Sequence, residues 1–204
     1  MIVGWMQFVS EDSKDDSIAD DPLLKRRLQN QRNSLMGKKM VSQLLLKYYR
    51  IDLSLEKNPI RKTSMGKPYL INHPDIHFNI SHSEQVVACV VAEEPVGLDV
   101  QFCNVKNIQK LAKKVLSIEE IEQWEKSECA EEVFFEFWTK KESYLKFTGE
   151  GIRSDLRTTT YDGAVFKNID LCPGYIGMLC MPQKSTEKIQ VVEILDENFK
   201  NSIR

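Results

Sequence analysis

Val86-Val87-Ala88-Cys89-Val90-Val91-Ala92 is an unbroken apolar run, short and rich in valine, bounded by polar residues on both sides. A run of this kind must be a buried strand, and it obliges the rest of the chain to build a core around it. Before it, His77-Phe78-Asn79-Ile80 alternates as a strand and continues into Ser81-His82-Ser83. After it, Glu93-Glu94-Pro95 reads as a turn, and Val96 to Gln101 as the returning strand. Period-two geometry sets Leu98 and Val100 on one face of that strand and Asp99 with Gln101 on the other, so two polar side chains share a sheet face.

A second constraint lies at Phe137-Trp138-Thr139-Lys140-Lys141-Glu142-Ser143-Tyr144-Leu145-Lys146. Phe134, Phe137, Trp138 and Leu145 recur at helical spacing and form a buried stripe, while Glu142 and Lys146 project side by side from one flank. Taken alone, such a pair is an ordinary solvated Glu–Lys pair. The helix is expected from about Ala130 to Phe147, with Gly149 and Gly151 ending it. Upstream, Ser117-Ile118-Glu119-Glu120 matches a capping box and starts a helix through Trp124. Ile108, Leu111, Ala112, Val115 and Leu116 make an amphipathic helix whose other face carries Lys106, Lys110, Lys113 and Lys114.

The remaining segments complete a mixed pattern. Ile2 to Val9 reads as a first strand, followed by an acidic loop that Pro22 closes and then a helix. A second helix is expected over Ser34 to Tyr49, where Met40, Val41, Leu44, Leu45 and Tyr48 follow the helical period and Gly37 permits close approach of a neighbour or a ligand. Pro59, Pro68 and Pro74 break the stretch up to Asn79 into an ordered loop whose small-residue turn is Ser64-Met65-Gly66-Lys67-Pro68. Ala164 to Ile169, Tyr175 to Met181 and Ile189 to Leu195 read as strands. Helices with mostly antiparallel strands give the class α+β.

With 204 residues, 42% hydrophobic and 28% charged, the chain can bury a substantial core as one large domain or two small ones. A formal net charge of -2 gives no global attraction to nucleic acid or to an anionic membrane, so neither is an expected partner. Any anion site must come from local cations such as Lys25-Arg26-Arg27, Arg61-Lys62 or Lys113-Lys114. The five cysteines form no C-x-x-C pair and no zinc spacing, which fits a reducing cytosol. Met1 to Ser10 lacks the basic region of a signal peptide, and no apolar run reaches the ~18 residues of a membrane span. A cytoplasmic protein is expected.

Asp99 on a sheet face and Glu142 on a helix are hard oxygen ligands suited to a magnesium ion that keeps several waters and a substrate phosphate. His82 and Lys67 are candidate phosphate donors. Phosphoryl transfer needs a metal and cations to neutralise charge on phosphate oxygens, and a base for the nucleophile's proton. Each of these residues also has a plain structural reading: a strand aspartate can end a hairpin, and a histidine beside serine is commonly a satisfied structural side chain.

In order and spacing, Gly66-Lys67-Pro68, Asn79-Ile80-Ser81-His82-Ser83, Val96-Gly97-Leu98-Asp99-Val100 and Phe137 to Lys146 resemble the surfactin-type 4'-phosphopantetheinyl transferases. The resemblance covers Ser34 to Gly151 and weakens toward both ends. It implies transfer of the phosphopantetheine arm of coenzyme A to a serine of an apo acyl or peptidyl carrier protein, with Mg2+ and with release of adenosine 3',5'-bisphosphate. It also implies two similar α+β halves, residues 1–101 and 102–204, packed as a pseudo-dimer with coenzyme A in the cleft between them, and a monomer. By position, Asp99 and Glu142 match the metal carboxylates, and Glu142 also steers or accepts the serine proton. Lys146 matches the lysine that meets the coenzyme A phosphates. Ser81 and His82 match the pair at the nucleotide end and its phosphate, with Lys67 and Arg61 as cations near the adenylate. His82 and Lys67 are expected on loops away from the carboxylates. Ser34 and Arg32 are candidates for the 3'-phosphate. Where many members carry a second carboxylate, this chain has Gln101, a third candidate metal ligand of weaker charge. A coenzyme A or carrier-protein binding module without catalysis is the alternative, and the lysine face of Ile108 to Leu116 is a candidate landing surface for an acidic carrier helix.

Overall fold

Residues 1–8, 21–104, 108–151 and 155–194 are described by a computed structural model. In chain order they form strand β1 (Ile2–Gln7), helix α1 (Pro22–Leu44), strands β2 (Ile60–Lys62) to β3 (Pro68–Leu70) as a hairpin, and strands β4 (His77–Ser83), β5 (Val86–Ala92) and β6 (Gly97–Phe102). Helices α2 (Ile108–Val115), α3 (Ile118–Glu125) and α4 (Ala130–Thr148) follow, then strands β7 (Ala164–Ile169), β8 (Tyr175–Pro182) and β9 (Gln190–Glu193). The class is α+β, as expected.

The apolar run at β5 is buried along its whole length because it is covered on both faces. Val87, Cys89 and Val91 pack with Met40, Val41 and Leu44 of α1. Val86, Ala88, Val90 and Ala92 pack with Leu98, Val100, Leu179 and Met181 of the second sheet. The first sheet has the order β4-β5-β1-β9, and the second the order β6-β8-β7. A third core cluster, with Ala112, Val115, Leu116, Trp124, Phe134 and Phe135, joins α2, α3 and α4.

Two expectations are corrected. β6 does not pair with β5: both edges of β5 are already taken, by β4 and β1, and β6 instead pairs antiparallel with β8. The two helices expected after Pro22 are one, because no breaker separates them. Gly37 sits mid-helix where a Cβ would lie 2.3 Å from Ile80 Cγ2, so the close neighbour is β4. The helix then loosens into a π-helical turn, Leu45–Tyr49, that ends at Arg50 with φ 59. β9 lies parallel to β1 and extends the first sheet. Val9 and Leu195, the outer ends of two expected strands, and Lys106 lie outside the described residues.

Helix termini follow local chemistry. Asp21 Oδ1 accepts from Leu23 N at 2.8 Å ahead of Pro22, and the capping box of α3 forms in both directions between Ser117 and Glu120. Gly149 ends α4 at φ 79. All five cysteines are free thiols, and no helix among the described residues is long and apolar enough to cross a membrane.

Candidate active site

The two sheets meet along β4 and β6, and polar side chains replace a backbone ladder there. Asn79 Oδ1 accepts from Leu98 N at 3.2 Å, Ser81 Oγ from Val100 N at 3.1 Å, and Ser83 Oγ from Phe102 N at 2.9 Å. The three residues alternate along β4 and so share one face. The same alternation on β6 turns Leu98 and Val100 into the core and Asp99 with Gln101 away from it.

Helix α4 packs against β6 because Gly97 has no side chain: a Cβ there would lie 2.0 Å from Ser143 O and 2.4 Å from Phe147 N. That approach carries Lys146 to the seam. Its Nζ donates to Asp99 Oδ1 at 2.7 Å and to Ser81 Oγ at 2.9 Å. Ser81 Oγ donates to Asp99 Oδ1 at 2.9 Å, and Gln101 Nε2 donates to Asp99 Oδ2 at 2.9 Å. Asp99, only 2% exposed, is therefore tethered by three side chains.

Glu142 and Lys146 do not form the ordinary helix-surface pair. Glu142 is 9% exposed, and its side chain makes no ion pair or hydrogen bond among the described residues. Burial, and then the charge of Asp99, push its pKa up, against the pull of Lys146. Glu142, Lys146 and Lys67 line one cavity of about 270 Å3, together with Asn79, Ile80 and Gly149. Lys67 lies in the turn between β2 and β3, where its Nζ donates to Phe147 O and burial lowers its pKa. It closes the C-terminus of α4.

His82 is on strand β4 rather than on a loop. It lines a groove of about 770 Å3 with Lys25, Arg26 and Asn33 of α1 and with Gln101. Burial and then Lys146 lower its pKa, while Asp99 raises it, so the ring is neutral at physiological pH. The groove and the smaller cavity lie on either side of the Ser81–Asp99–Lys146 cluster: Lys146 faces the cavity, and Gln101, which binds Asp99, faces the groove.

Other sequence candidates stand apart. Arg61 is exposed on β2 opposite Tyr69. Arg32 holds its guanidinium 4.7 Å from the Phe8 ring centroid. Ser34 is on the exposed side of α1 in a shallow depression with Leu23, Arg27 and Lys38. Sequence reasoning also missed residues that build the site. Lys141, 1% exposed, donates to Leu156 O at 2.7 Å and pairs with Glu120 Oε2 at 2.8 Å, fixing α4 to the capped start of α3. Nothing in a Lys-Lys-Glu string separates this buried ammonium from half-buried Lys140, whose ammonium lies over the Tyr161 and Phe166 rings. The polar alternation Asn79-Ser81-Ser83, by contrast, was visible and could have announced the seam.

The donor set fits a hard divalent cation. Glu142 keeps all its lone pairs, and Asp99 Oδ2 has capacity beyond the Gln101 bond, while the burial and, after it, the Asp99 charge that raise Glu142's pKa are both costs that a bound cation would offset. Gln101 turns its amide nitrogen to Asp99, which leaves its carbonyl oxygen for a ligand. No cluster of three or more His, Cys, Asp or Glu side chains suited to a metal occurs among the described residues, so any ion held here would take much of its shell from water and ligand oxygens.

Comparison with known proteins agrees with this geometry. Residues 95–199, a stretch that contains Asp99, Gln101, Glu142 and Lys146, match the model of the 4'-phosphopantetheinyl transferase superfamily. The chain is 35% identical over 122 residues to the 4'-phosphopantetheinyl transferase gsp of Aneurinibacillus migulanus, covering 58% of this chain and 49% of that protein. It is 31% identical over 138 residues to psf-1 of Bacillus pumilus, covering 66% and 58%. With Sfp of Bacillus subtilis it shares 28% identity over 167 residues, covering 72% of each. The match thus spans about half the length of the first of these relatives and somewhat more of the others. A family match over more than half of the chain, carried by the strand and helix that build the cluster, places it: this chain belongs to the 4'-phosphopantetheinyl transferase superfamily.

Proposed function

We propose that this protein transfers the 4'-phosphopantetheine arm of coenzyme A to a serine hydroxyl of an apo acyl or peptidyl carrier protein and releases adenosine 3',5'-bisphosphate. The observation that carries the reading is the Ser81–Asp99–Lys146 cluster beside an unpaired, buried Glu142, with Asp99, Glu142 and Lys146 inside the stretch that matches the family. The serine oxygen forms the new bond to the phosphorus that bears pantetheine, and the diphosphate P–O bond breaks toward the nucleotide. Lys146 uses two of its three N–H groups on Ser81 and Asp99, which leaves the third for a phosphate oxygen. Glu142, with its raised pKa, is a better proton acceptor than an exposed carboxylate and steers or receives the serine proton. Asp99 and Glu142, with the Gln101 carbonyl, would hold Mg2+, which supplies neutralisation of charge on the diphosphate.

In this reading His82, Lys25 and Arg26, which line the larger groove, meet the nucleotide end, and Lys67 lines the smaller cavity. Burial disfavours the charged forms of Lys67 and His82 in the free protein, and a phosphate that meets them would favour those forms again. Arg61, Ser34 and Arg32 reach this ligand only if the long coenzyme extends over the hairpin or along α1. The basic face of α2 receives the acidic carrier. The protein acts in the cytoplasm as a monomer of two halves, 1–101 and 102–204, with coenzyme A between them and without nucleic acid or membrane. The test is incubation with Mg2+, coenzyme A and several apo carrier proteins, read by the mass of the carrier. A gain of one phosphopantetheine on at least one carrier supports the reading. No gain on any, with coenzyme A still bound, favours a binding module in which Gln101 has replaced a needed carboxylate.

A further inference from the structure

We propose that Glu56 is a positioning residue for the coenzyme site: it clamps both legs of the β2–β3 hairpin and so holds Lys67 and one wall of the smaller cavity against α4. The inference rests on the transferase reading for its kinetic part only. The hairpin is a two-stranded sheet of its own, paired with neither of the larger sheets, and from Ile60 to Ile71 only Leu70 is buried. An isolated two-stranded hairpin is marginal in water, so its position has to be fixed by contacts outside its own ladder. Yet its turn, from Met65 to Pro68, forms one side of the cavity that Glu142 and Lys146 line from α4.

The fixing contacts lie at the base of the hairpin. Glu56 precedes the first strand, while Asn72 and His73 follow the second. Glu56 Oε2 accepts from Asn72 Nδ2 at 2.8 Å, and Oε1 accepts from His73 Nε2 at 2.8 Å. An ionised carboxylate can only accept, so the imidazole carries a proton on Nε2. The bond from His73, and after it the bond from Asn72, hold the Glu56 carboxyl below its usual range. One carboxylate thus spends both oxygens on joining the chain before the hairpin to the chain after it. Ile71 N donates to Pro59 O at 3.0 Å just above the clamp, and Thr63 N to Lys67 O at 2.9 Å near the turn. From there Lys67 Nζ reaches Phe147 O at the end of α4. Glu56, Asn72 and His73 line neither the cavity nor the groove, so Glu56 acts on a ligand only through the hairpin. Asp52 supplies the control: it accepts from Ser54 N at 2.9 Å and from Ser54 Oγ at 2.7 Å, which caps the short turn Leu53–Leu55 and bridges nothing.

The experiment compares Glu56→Ala, Asn72→Ala, the double variant and Asp52→Ala with the wild-type protein in three measurements. These are native amide exchange at Thr63 and Gly66, coenzyme A affinity by calorimetry, and KM for coenzyme A with kcat in the presence of Mg2+ and an apo carrier. A hydrogen bond to a charged group carries about tenfold or more in affinity. Glu56→Ala is therefore expected to speed exchange at both amides, and to weaken coenzyme A binding and raise its KM by about tenfold. Its kcat should stay within about threefold, because Asp99, Glu142 and Lys146 stand on β6 and α4. Asn72→Ala removes one of the two bonds, so it should show a smaller loss of the same kind, and it keeps the test open if Glu56→Ala does not fold. The double variant should be no weaker than Glu56→Ala, since both changes break one clamp. Asp52→Ala should leave affinity, KM and exchange at the turn unchanged. Faster exchange with unchanged affinity would separate the hairpin from the coenzyme site and overturn the proposal. Unchanged exchange in Glu56→Ala would overturn it too, as would additive losses in the double variant or a loss in Asp52→Ala equal to that in Glu56→Ala. A fall in kcat with KM kept would move the influence of Glu56 from binding to the chemical step, also against the proposal. If the wild-type protein binds coenzyme A but modifies no carrier, the transferase reading fails by itself, and affinity with exchange at Thr63 and Gly66 still decides the role of Glu56.

Discussion

Glu142 carries an energetic cost in the folded state. Its pKa is raised from the usual 4.5, first by burial and then by Asp99. A raised folded value means that the folded state holds the proton more tightly than the unfolded chain does. That contribution is fully present below the ordinary carboxyl value and is lost as pH rises through the raised one, so at neutral pH the charged side chain opposes folding. Glu142→Gln should therefore raise Tm by a few degrees at pH 7 while abolishing transfer, and the Tm difference from wild type should vanish in acid. A variant less stable than wild type at neutral pH would contradict this. His82 is displaced in the opposite sense, its pKa lowered from 6.5 by burial and Lys146. An arriving phosphate favours the imidazolium, so coenzyme A binding should take up a fraction of a proton near neutral pH and weaken as pH rises. Calorimetry in buffers of different ionisation enthalpy would reveal the uptake, and His82→Gln should remove it. An identical buffer dependence in both proteins would place the titration elsewhere.

At the scale of elements, the critical contact is α4 on β6, and one atom decides it. A methyl group at position 97 would collide with Ser143 O and Phe147 N, both backbone atoms that cannot swing aside. Gly97→Ala must push the helix off the strand and draw Lys146 away from Asp99. We expect a loss of several degrees in Tm and a fall in kcat of about a hundredfold or more, the scale seen when a charge-stabilising group is misplaced. Circular dichroism melting and single-turnover transfer would check both, and a stable, active alanine variant would refute the packing account. Nothing in Val96-Gly97-Leu98 distinguishes a glycine needed for helix approach from one that merely begins a strand. The distinction depends on Ser143 and Phe147, residues of a helix that lies well beyond the strand in the chain.

For the molecule as a whole, the site straddles the seam between two sheets, with Ser81 on one and Asp99 on the other. If the proposed function holds, an ion between two carboxylates and a neutral Gln101 is short of ligand charge in the free protein, and the coenzyme diphosphate would complete it. Mg2+ should bind weakly alone and tighten coenzyme A, and coenzyme A should tighten Mg2+ by the same factor, about 5-fold to 150-fold. Titrating each with and without the other tests the reciprocity, and affinities independent of the second ligand would remove the ion from the diphosphate's surroundings.

What the sequence determined by itself was local or periodic. The burial of β5, the shared face of Asp99 and Gln101, the capping box at Ser117, the end of α4 at Gly149 and the bounds of β7 all follow from spacing of two or 3.6 residues and from short-range terminal chemistry. The α+β class and the family signature came with them. Tertiary structure alone decided which strand lies beside which, because pairing is a competition for edges: β5 had none left for β6, and β1 had one left for β9. It also decided the partners of the charges. Glu142 and Lys146 were correctly placed on one flank of one helix, yet Lys146 bonds across the seam to Asp99 and Ser81, and the adjacent Lys141 disappears into an ion pair with Glu120. An ammonium pairs with the carboxylate that packing brings within reach in a poorly solvated place, and that depends on the docking of elements far apart in the chain.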